Sequence, residues 1–190
     1  MGIIERFFRK LVGLSFIIWE YTSTYIPSMA RIVIDNYSLP IIKKEVSAVR
    51  ISRDDRFIQI GCGSIPYTAL IIAELTGASV TGIDIDPVAV KNAQIYVKNN
   101  KRTPIRINIE EGDGAEYNLS NFDVIMISLG VNNIEGVFAN ITKSAKKDAR
   151  IIFRNLSRFD PHKIIPDEYI VKKRLIHPMF WESVILERVR

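Results

Sequence analysis

Cysteine and histidine are scarce in this sequence, and their scarcity limits its covalent and metal chemistry. The 190 residues include one cysteine, Cys62, and two histidines, His162 and His177. A single cysteine cannot form an internal disulfide, so we expect a reducing compartment, the cytoplasm. No cluster of Cys, His and Asp has metal-ligand spacing, so no metal is expected. Both histidines lie beside prolines and are interpreted as loop residues.

The sequence also lacks an apolar run long enough to cross a bilayer. Its N-terminal apolar segment, 11–19, is too short for a transmembrane helix. One helical face is shared by Ile4, Phe7, Phe8, Leu11, Leu14 and Ile18. We therefore expect an amphipathic helix that packs on the domain or on a second copy of the chain, which would form a homodimer. Docking on a membrane surface is the alternative.

Acidic residues are outnumbered by basic ones, and the net charge is +5. This balance permits RNA, a membrane surface or an anionic small molecule as a partner and selects none of them. Basic residues cluster at 143–150 and again at 172–174. We interpret both clusters as solvated surface, which disfavours a nucleic-acid partner but leaves it open.

Strand and helix patterns alternate from residue 55 onward, which favours an α/β fold with a parallel sheet and helices on both faces. Two further apolar segments with a short turn between them predict a terminal antiparallel hairpin. Residues 1–50 are expected to form a helical extension packed on a domain at 51–190. Strands are predicted at 56–61, 79–85, 105–113, 122–130, 149–155, 168–178 and 181–189, and helices at 67–75, 86–99 and 133–145.

A glycine turn, Gly61-Cys62-Gly63, follows the first predicted strand. Glycine has no Cβ, so the backbone there can pass close to a ligand. The next helix directs its partly positive end toward the same place. Ile65 and Pro66 occupy the following turn, where a dinucleotide-binding loop has its third glycine, and this argues against NAD.

Two acidic residues follow the next two strands. Asp84 lies about 20 residues after the glycine turn, where a carboxylate can accept hydrogen bonds from both hydroxyls of a ribose. Asp86 is explained as the cap of the next helix. After the third strand, Asp113 is placed to accept from an adenine amino group, and the Gly114 amide to face the ring edge. Three contacts at the ends of three successive strands predict a nucleoside cofactor.

The combined pattern of glycine turn, Gly-Ile-Asp-Ile-Asp-Pro and Gly-Asp-Gly resembles the class I S-adenosylmethionine (SAM) dependent methyltransferases over residues 55–190. The resemblance implies a Rossmann-like sheet and SAM as cofactor. Gln59 is a departure, because many of these enzymes carry an acidic residue there, near the methionine amino group. The Asn/Asp-Pro-Pro-Tyr motif of enzymes that methylate exocyclic amino groups is absent. The implied cofactor residues are Gly61, Cys62, Gly63, Ile65, Asp84, Ile85, Asp113, Gly114 and Ser128.

Short matches in the right order resemble one branch of that fold, the nicotianamine synthases. Ile65-Pro66 resembles the Leu-Pro of their glycine loop, residues 84–89 resemble their Asp-Ile-Asp-Pro-x-Ala, and Arg154-Asn155 resembles the end of their fifth strand. In that branch the acceptor attacks the aminocarboxypropyl chain of SAM and methylthioadenosine leaves. The resemblance therefore leaves two transferred groups open, methyl and aminocarboxypropyl.

The N-terminal region departs from this branch, whose helical domain is longer and carries a glutamate in a Leu-Glu-Tyr motif. The nearest counterpart is the segment 34–39, where Asn36 takes the place of the glutamate. Asparagine cannot act as a base, so either Asp35 substitutes or the chemistry has changed. Asp35 and Tyr37 are therefore candidate catalytic residues. The alternative interpretation is a surface acid and a packing tyrosine.

Two further residues are candidates for contact with the acceptor. Leu129 follows the fourth strand, where acceptor and SAM meet in this fold, and Arg154 at the end of the fifth strand is placed to pair with a substrate carboxylate. A surface arginine is the alternative. The sequence thus predicts a SAM-dependent transferase acting on a small molecule. The rival interpretations are an RNA methyltransferase and a SAM-binding domain without turnover.

Overall fold

The computed structural model describes residues 34–99, 106–178 and 180–189. The amphipathic helix expected between Ile4 and Ile18, and the dimer contact assigned to it, lie outside these residues. Of the helices in the described ranges, none combines the length and apolarity that a membrane span requires. The expected division of the chain near residue 50 stays a prediction.

The described elements agree with the predicted alternation of strands and helices. The chain enters through a π-helical turn at Ile34–Ser38, and a 3₁₀ turn at Pro161–Lys163 precedes the final hairpin. The helices are α1 Leu39–Val49, α2 Tyr67–Thr76, α3 Pro87–Asn99 and α4 Ile134–Ser144. The strands are β1 Arg56–Ile60, β2 Ser79–Asp84, β3 Ile107–Glu111, β4 Val124–Ile127, β5 Arg150–Leu156, β6 Tyr169–His177 and β7 Trp181–Arg188.

The strands form a seven-stranded sheet in the order β3-β2-β1-β4-β5-β7-β6. Strands β1 to β5 pair in parallel, whereas β7 is antiparallel to both β5 and β6. This arrangement confirms the predicted Rossmann-like sheet with its terminal hairpin. The carboxyl ends of the five parallel strands lie along one edge of the sheet, called here the carboxyl edge, where ligands bind in such folds.

Helix ends follow local side-chain and glycine signals. Asp86 accepts a hydrogen bond from the Val88 amide at 2.9 Å and so caps α3, as predicted. Asn133 does the same for α4, accepting from the Gly136 amide at 3.1 Å. Gly77 ends α2 in the left-handed region at φ 71°, which glycine adopts without a steric penalty.

Apolar layers cover both faces of the sheet. On one face Ile58 packs in a cluster with Phe138 of α4. On the other face Phe57 packs with Ile42 of α1 and Ile72 of α2. Burial on both faces explains why the central strand β4, Val124–Ile127, is a continuous apolar run that does not alternate with polar residues.

Helix α1 runs antiparallel to β5 along its face of the sheet. At the helix end, the Arg150 guanidinium donates to the Val49 carbonyl at 2.7 Å, and Arg150 begins β5. At the other end, Trp181 donates through Nε1 to the Tyr37 hydroxyl at 3.0 Å. Trp181 is paired with Leu156, the last residue of β5. The π-helical turn therefore lies at the carboxyl edge.

A buried ion pair fixes the middle of α1 to β5. Glu45 is fully buried, and its two carboxylate oxygens accept from Arg154 Nε at 2.9 Å and Nη2 at 2.7 Å. The Ser183 hydroxyl on β7 donates to the same carboxylate at 2.5 Å. Charge-assisted hydrogen bonds from two strands thus satisfy the carboxylate inside the fold.

His177 belongs to this network, so its interpretation as a loop residue was wrong. It ends β6 and is buried beside the Trp181 ring. Because Ser183 gives its only proton to Glu45, the His177 Nε2–H must donate to the Ser183 hydroxyl, 2.8 Å away. Burial lowers the pKa of His177. The nearby Glu45 carboxylate opposes this shift and Arg154 adds to it, and the lowered pKa favours the neutral imidazole.

We expect Glu45→Ala to destabilise the fold by about 3–5 kcal/mol, because it leaves the Arg154 guanidinium buried without its counter-charge. Urea unfolding measures the change. The double variant Glu45→Leu with Arg154→Met should lose much less than the sum of the single variants. Lys172→Ala is the control, since it breaks the exposed pair with Glu187, worth about 0–1 kcal/mol. Equal losses of unfolding free energy in Glu45→Ala and Lys172→Ala would contradict this account.

Candidate active site

The predicted cofactor residues lie together at the carboxyl edge, each just after or at the end of a parallel strand. Gly61 follows β1, Asp84 ends β2, Asp113 follows β3 and Ser128 follows β4. The Ser128 amide donates to the Ile60 carbonyl at 3.0 Å, which joins the ends of β4 and β1. The strands themselves thus bring together residues that are far apart in the sequence.

The glycine turn folds back onto β2 and needs glycine at two positions. Gly61 and Gly63 have φ values of 77° and 68°, which L-residues rarely adopt. A Cβ on Gly61 would also lie 2.8 Å from Val131 Cγ2. The Gly61 amide donates to the Ile83 carbonyl at 2.8 Å. The Cys62 side chain is buried, so only the backbone of this residue faces the edge.

Ile65 and Pro66 close the turn and start α2. The Tyr67 amide donates back to the Ile65 carbonyl at 2.8 Å, which is a tight three-residue turn. Pro66 is buried and occupies the N-cap position of α2, where it supplies no capping side chain. The stiff dipeptide therefore fixes the path from the glycine turn into the helix, as a third glycine could not.

Asp84 has the acceptor capacity that a ribose requires. One carboxylate oxygen accepts from the Gly63 amide at 2.8 Å and the other from the Asp86 amide at 3.1 Å. Each oxygen has a second lone pair for a sugar hydroxyl. Next to it the Ile85 side chain is 67% exposed and offers apolar surface for a flat ring. Asp84 thus fits the ribose of SAM, and Ile85 fits its adenine.

Asp113 and Gly114 form a second rigid turn along the edge. One Asp113 oxygen accepts from the Ala115 amide at 2.9 Å, which orients the carboxylate. A Cβ on Gly114 would lie 2.4 Å from Ile60 Cγ2, so only glycine fits there. The Gly114 carbonyl accepts from Asn140 of α4 at 2.9 Å. The turn is thus held from both sides, with one Asp113 oxygen left for an amino group.

Gln59 carries a buried polar atom in this site that no described residue pairs with. The side chain is 4% exposed, and its Nε2 donates to the Ser128 hydroxyl at 3.0 Å. Within the described residues its Oε1 has no hydrogen-bond partner. An unpaired buried oxygen is costly unless a donor reaches it. The ammonium of a bound SAM supplies such a donor, so this departure from the acidic residue still fits the cofactor.

Arg154 lies near the carboxyl end of β5, and Glu45 already binds its guanidinium. Its remaining Nη1 donates to Thr68 of α2 at 3.1 Å, and its guanidinium carbon lies 5.3 Å from the centre of the Trp181 ring. Contact between Arg154 and a substrate carboxylate stays a prediction. Leu129 is buried in the turn after β4.

Sequence reasoning missed Glu45, although the sequence held a signal. The apolar face of α1 contains Ile41, Ile42 and Val49 at helical spacing, and Glu45 occupies the same face. An acid on such a face requires a buried cation. Its partner is 109 residues away, and no local pattern identifies it.

Of the two catalytic candidates, Tyr37 has a described environment. Its hydroxyl accepts from Trp181 Nε1 and donates to the Pro178 carbonyl at 2.7 Å. Asp35 lies in the same π-helical turn. The roles of both residues stay predictions.

We expect Asp84→Ala to weaken SAM binding about tenfold or more, because the ribose hydroxyls and the Gly63 amide lose their acceptor. Isothermal titration calorimetry measures the affinity. Asp86→Ala is the matched control, since it removes a carboxylate two residues away that caps α3. Equal affinities for the two variants would overturn the site.

We expect Gln59→Leu to lower SAM affinity about tenfold by removing the acceptor for the ammonium. A SAM analogue without the amino group should bind the wild type and this variant equally, because it has no donor to lose. Gln94→Leu is the control, since Gln94 bonds the Ile109 carbonyl away from the turn. A variant that weakens both ligands alike would count against a contact with the ammonium.

Solved structures with this fold include SAM-dependent proteins. A variant of MtNAS, the nicotianamine synthase-like neighbour, in complex with SAM has a TM-score of 0.71 and 18% identity, over 96% of this chain and 72% of that one. An RNA methyltransferase from Salinibacter ruber with S-adenosyl-L-homocysteine has a TM-score of 0.62 and 16% identity, over 79% and 90% of the chains. These likenesses confirm the predicted fold.

Two comparisons of sequence point the same way. The ribosomal protein L11 methyltransferase of Acetivibrio thermocellus is 26% identical over 135 residues, which are 69% of this chain and 42% of that protein. This chain thus matches less than half the length of that relative. A family model described as a methyltransferase domain matches residues 51–180. The chain therefore belongs to the methyltransferase domain family, and its cofactor is S-adenosylmethionine, as the resemblance implied.

Proposed function

We propose that this protein transfers a carbon group from SAM to a small-molecule acceptor in the cytoplasm. The observation that carries the proposal is the course of α1, which brings the π-helical turn to the carboxyl end of β5. That turn is held by the hydroxyl of Tyr37, bonded to Trp181 and Pro178. A helical turn that covers the carboxyl end of β5 favours a small acceptor, since an uncovered carboxyl edge would suit a macromolecule better.

The extent of the fold likeness supports a small acceptor. MtNAS matches 96% of this chain, whereas the RNA methyltransferase of Salinibacter ruber matches 79%. Another MtNAS structure holds MTA and tNA. We expect the N-terminal extension of this chain, residues 1–50, to be the part that meets the acceptor.

Residues of the site bind and orient the reactants, because a good leaving group needs little other help. When bound, SAM supplies a sulfonium whose attached carbons are open to displacement by a nucleophile. Asp84 and Asp113 hold the nucleoside, and the Gln59 oxygen orients the amino acid part. An amine acceptor must arrive unprotonated, and we propose Asp35 as the group that takes its proton. Tyr37 would position the acceptor beside it.

Aminocarboxypropyl transfer is the second candidate, beside methyl transfer. The Ile65-Pro66 turn supports it, because we expect this stiff turn to narrow the space around the aminocarboxypropyl chain, which would pass to the acceptor while methylthioadenosine leaves. Buried Pro66 and the bond from the Tyr67 amide to the Ile65 carbonyl hold that turn rigid. The family match supports methyl transfer.

Mass spectrometry of the SAM-derived product tests both candidates. Pure protein is incubated with SAM and a desalted small-molecule extract of its host. S-adenosylhomocysteine above the rate without enzyme indicates methyl transfer, and methylthioadenosine indicates aminocarboxypropyl transfer. Asp84→Ala should abolish either product. Neither product, despite tight SAM binding, would favour the domain without turnover.

The same assay tests the proposed base. We expect Asp35→Asn to lower turnover at least tenfold with SAM affinity unchanged, since a base acts on the acceptor. Asp148→Asn, an exposed acid beside β5, is the control and should keep full turnover. Unchanged turnover in Asp35→Asn would remove Asp35 from the reaction.

A further inference from the structure

A groove outside the cofactor site separates α1 from the edge strand β6. Its volume is about 640 Å³, and it is open to solvent along its length. Helix α1 contributes Lys43, Lys44 and Ser47 to its walls, and β6 contributes Lys173 and Leu175. Lysine ammonium groups are therefore concentrated on both sides of one concave surface.

An irregularity in β6 turns Lys173 toward the helix. Val171 pairs with Leu186 and Lys173 with Ile185, so Lys172 is an extra residue in the strand. Residues paired across antiparallel strands face the same side of the sheet. Ile185 is packed with residues of α1, so Lys173 shares that side. Without the bulge, the alternation of the strand would direct Lys173 to the opposite face.

The three groove lysines have no ion-pair partner among the carboxylates that the structure describes. In the described part of the chain, other cations near β6 have carboxylate partners: Lys172 pairs with Glu187, and Arg174 with Glu182. Lys43, Lys44 and Lys173 are all exposed, and none of them forms an ion pair with a described carboxylate. Three positive charges in a concave surface attract polyanions, because the low-dielectric walls focus their field.

The groove is distinct from the cofactor site but leads toward the same edge. Strand β6 lies three strands from β4, which is roughly 14 Å at the usual spacing of about 4.8 Å. Because β6 is antiparallel to β7, and β7 to β5, the end of β6 at His177 lies at the carboxyl edge. A chain-like ligand in the groove would therefore point along the sheet toward the active site.

We infer that this groove binds the phosphate backbone of single-stranded RNA. Concavity favours a flexible strand over a lipid surface, which is flat and meets protruding residues. Spaced ammonium groups recognise successive phosphates without reading bases. This binding goes beyond the proposed transfer to a small molecule, because the groove contains none of the cofactor or acceptor residues.

Fluorescence anisotropy with a labelled 12-nucleotide oligouridylate and the full chain tests the inference. We expect binding at low salt. The logarithm of the association constant should fall with the logarithm of salt concentration at a slope of about −2, because each phosphate neutralised by one of the three lysines contributes about 0.7. Replacing Lys43, Lys44 and Lys173 by serine should weaken binding at least tenfold. Replacing Lys143, Lys147 and Lys163 removes the same charge outside the groove and should weaken it less than threefold.

Three outcomes would overturn the inference. One is no binding at low salt, and another is an equal loss in the two triple variants, which would mean attraction to net charge alone. The third is that the protein binds no RNA but co-sediments with vesicles containing phosphatidylserine, and that the groove variant does not. This result would indicate a membrane partner. Thermal unfolding and SAM titration verify that both variants fold. Since the assay needs no turnover, failure of the proposed transfer would leave its result intact.

Discussion

The pair between Glu45 and Arg154 is the constraint on which the rest of the structure depends. Burying both charges costs several kcal/mol, and the cost is recovered only if the carboxylate keeps Arg154 and Ser183 as donors together. These donors come from β5 and β7, so α1 can satisfy them in one position and one direction. That direction carries the π-helical turn to the carboxyl edge.

Once α1 is fixed, its two faces acquire different surroundings. Ile42 and Glu45 turn to the sheet, whereas Lys43 and Lys44 turn to solvent beside β6. Helical spacing makes this division unavoidable, because neighbouring residues differ by about 100° around the axis. One ion pair thus positions both the π-helical turn at the carboxyl edge and the basic wall of the groove. Loss of the pair should therefore affect both features at once.

Sequence predicted the parts of the fold that depend on local chemistry. Neighbouring residues determine the strand and helix periods, the Asp86 cap and the glycine turn. The structure has these features where they were expected. The Glu45 network and the burial of His177 were missed, because they depend on contacts between residues more than a hundred positions apart or on strand pairing. Lys173 is exposed, as expected, but the bulge that turns it toward α1 could not be predicted, since a bulge is invisible until the register is known.

Gln59 shows how the site can accept a departure from the usual acid. At 4% exposure a carboxylate there would pay heavily for desolvation whenever the cofactor is absent. The amide avoids that cost and instead leaves one oxygen without a partner among the described residues, a smaller penalty that a bound ammonium would remove. Binding of SAM should then provide a hydrogen-bond donor for the Gln59 oxygen rather than neutralise a charge. The substitution therefore exchanges ionic attraction for a hydrogen bond, and the cofactor completes the interior of the protein.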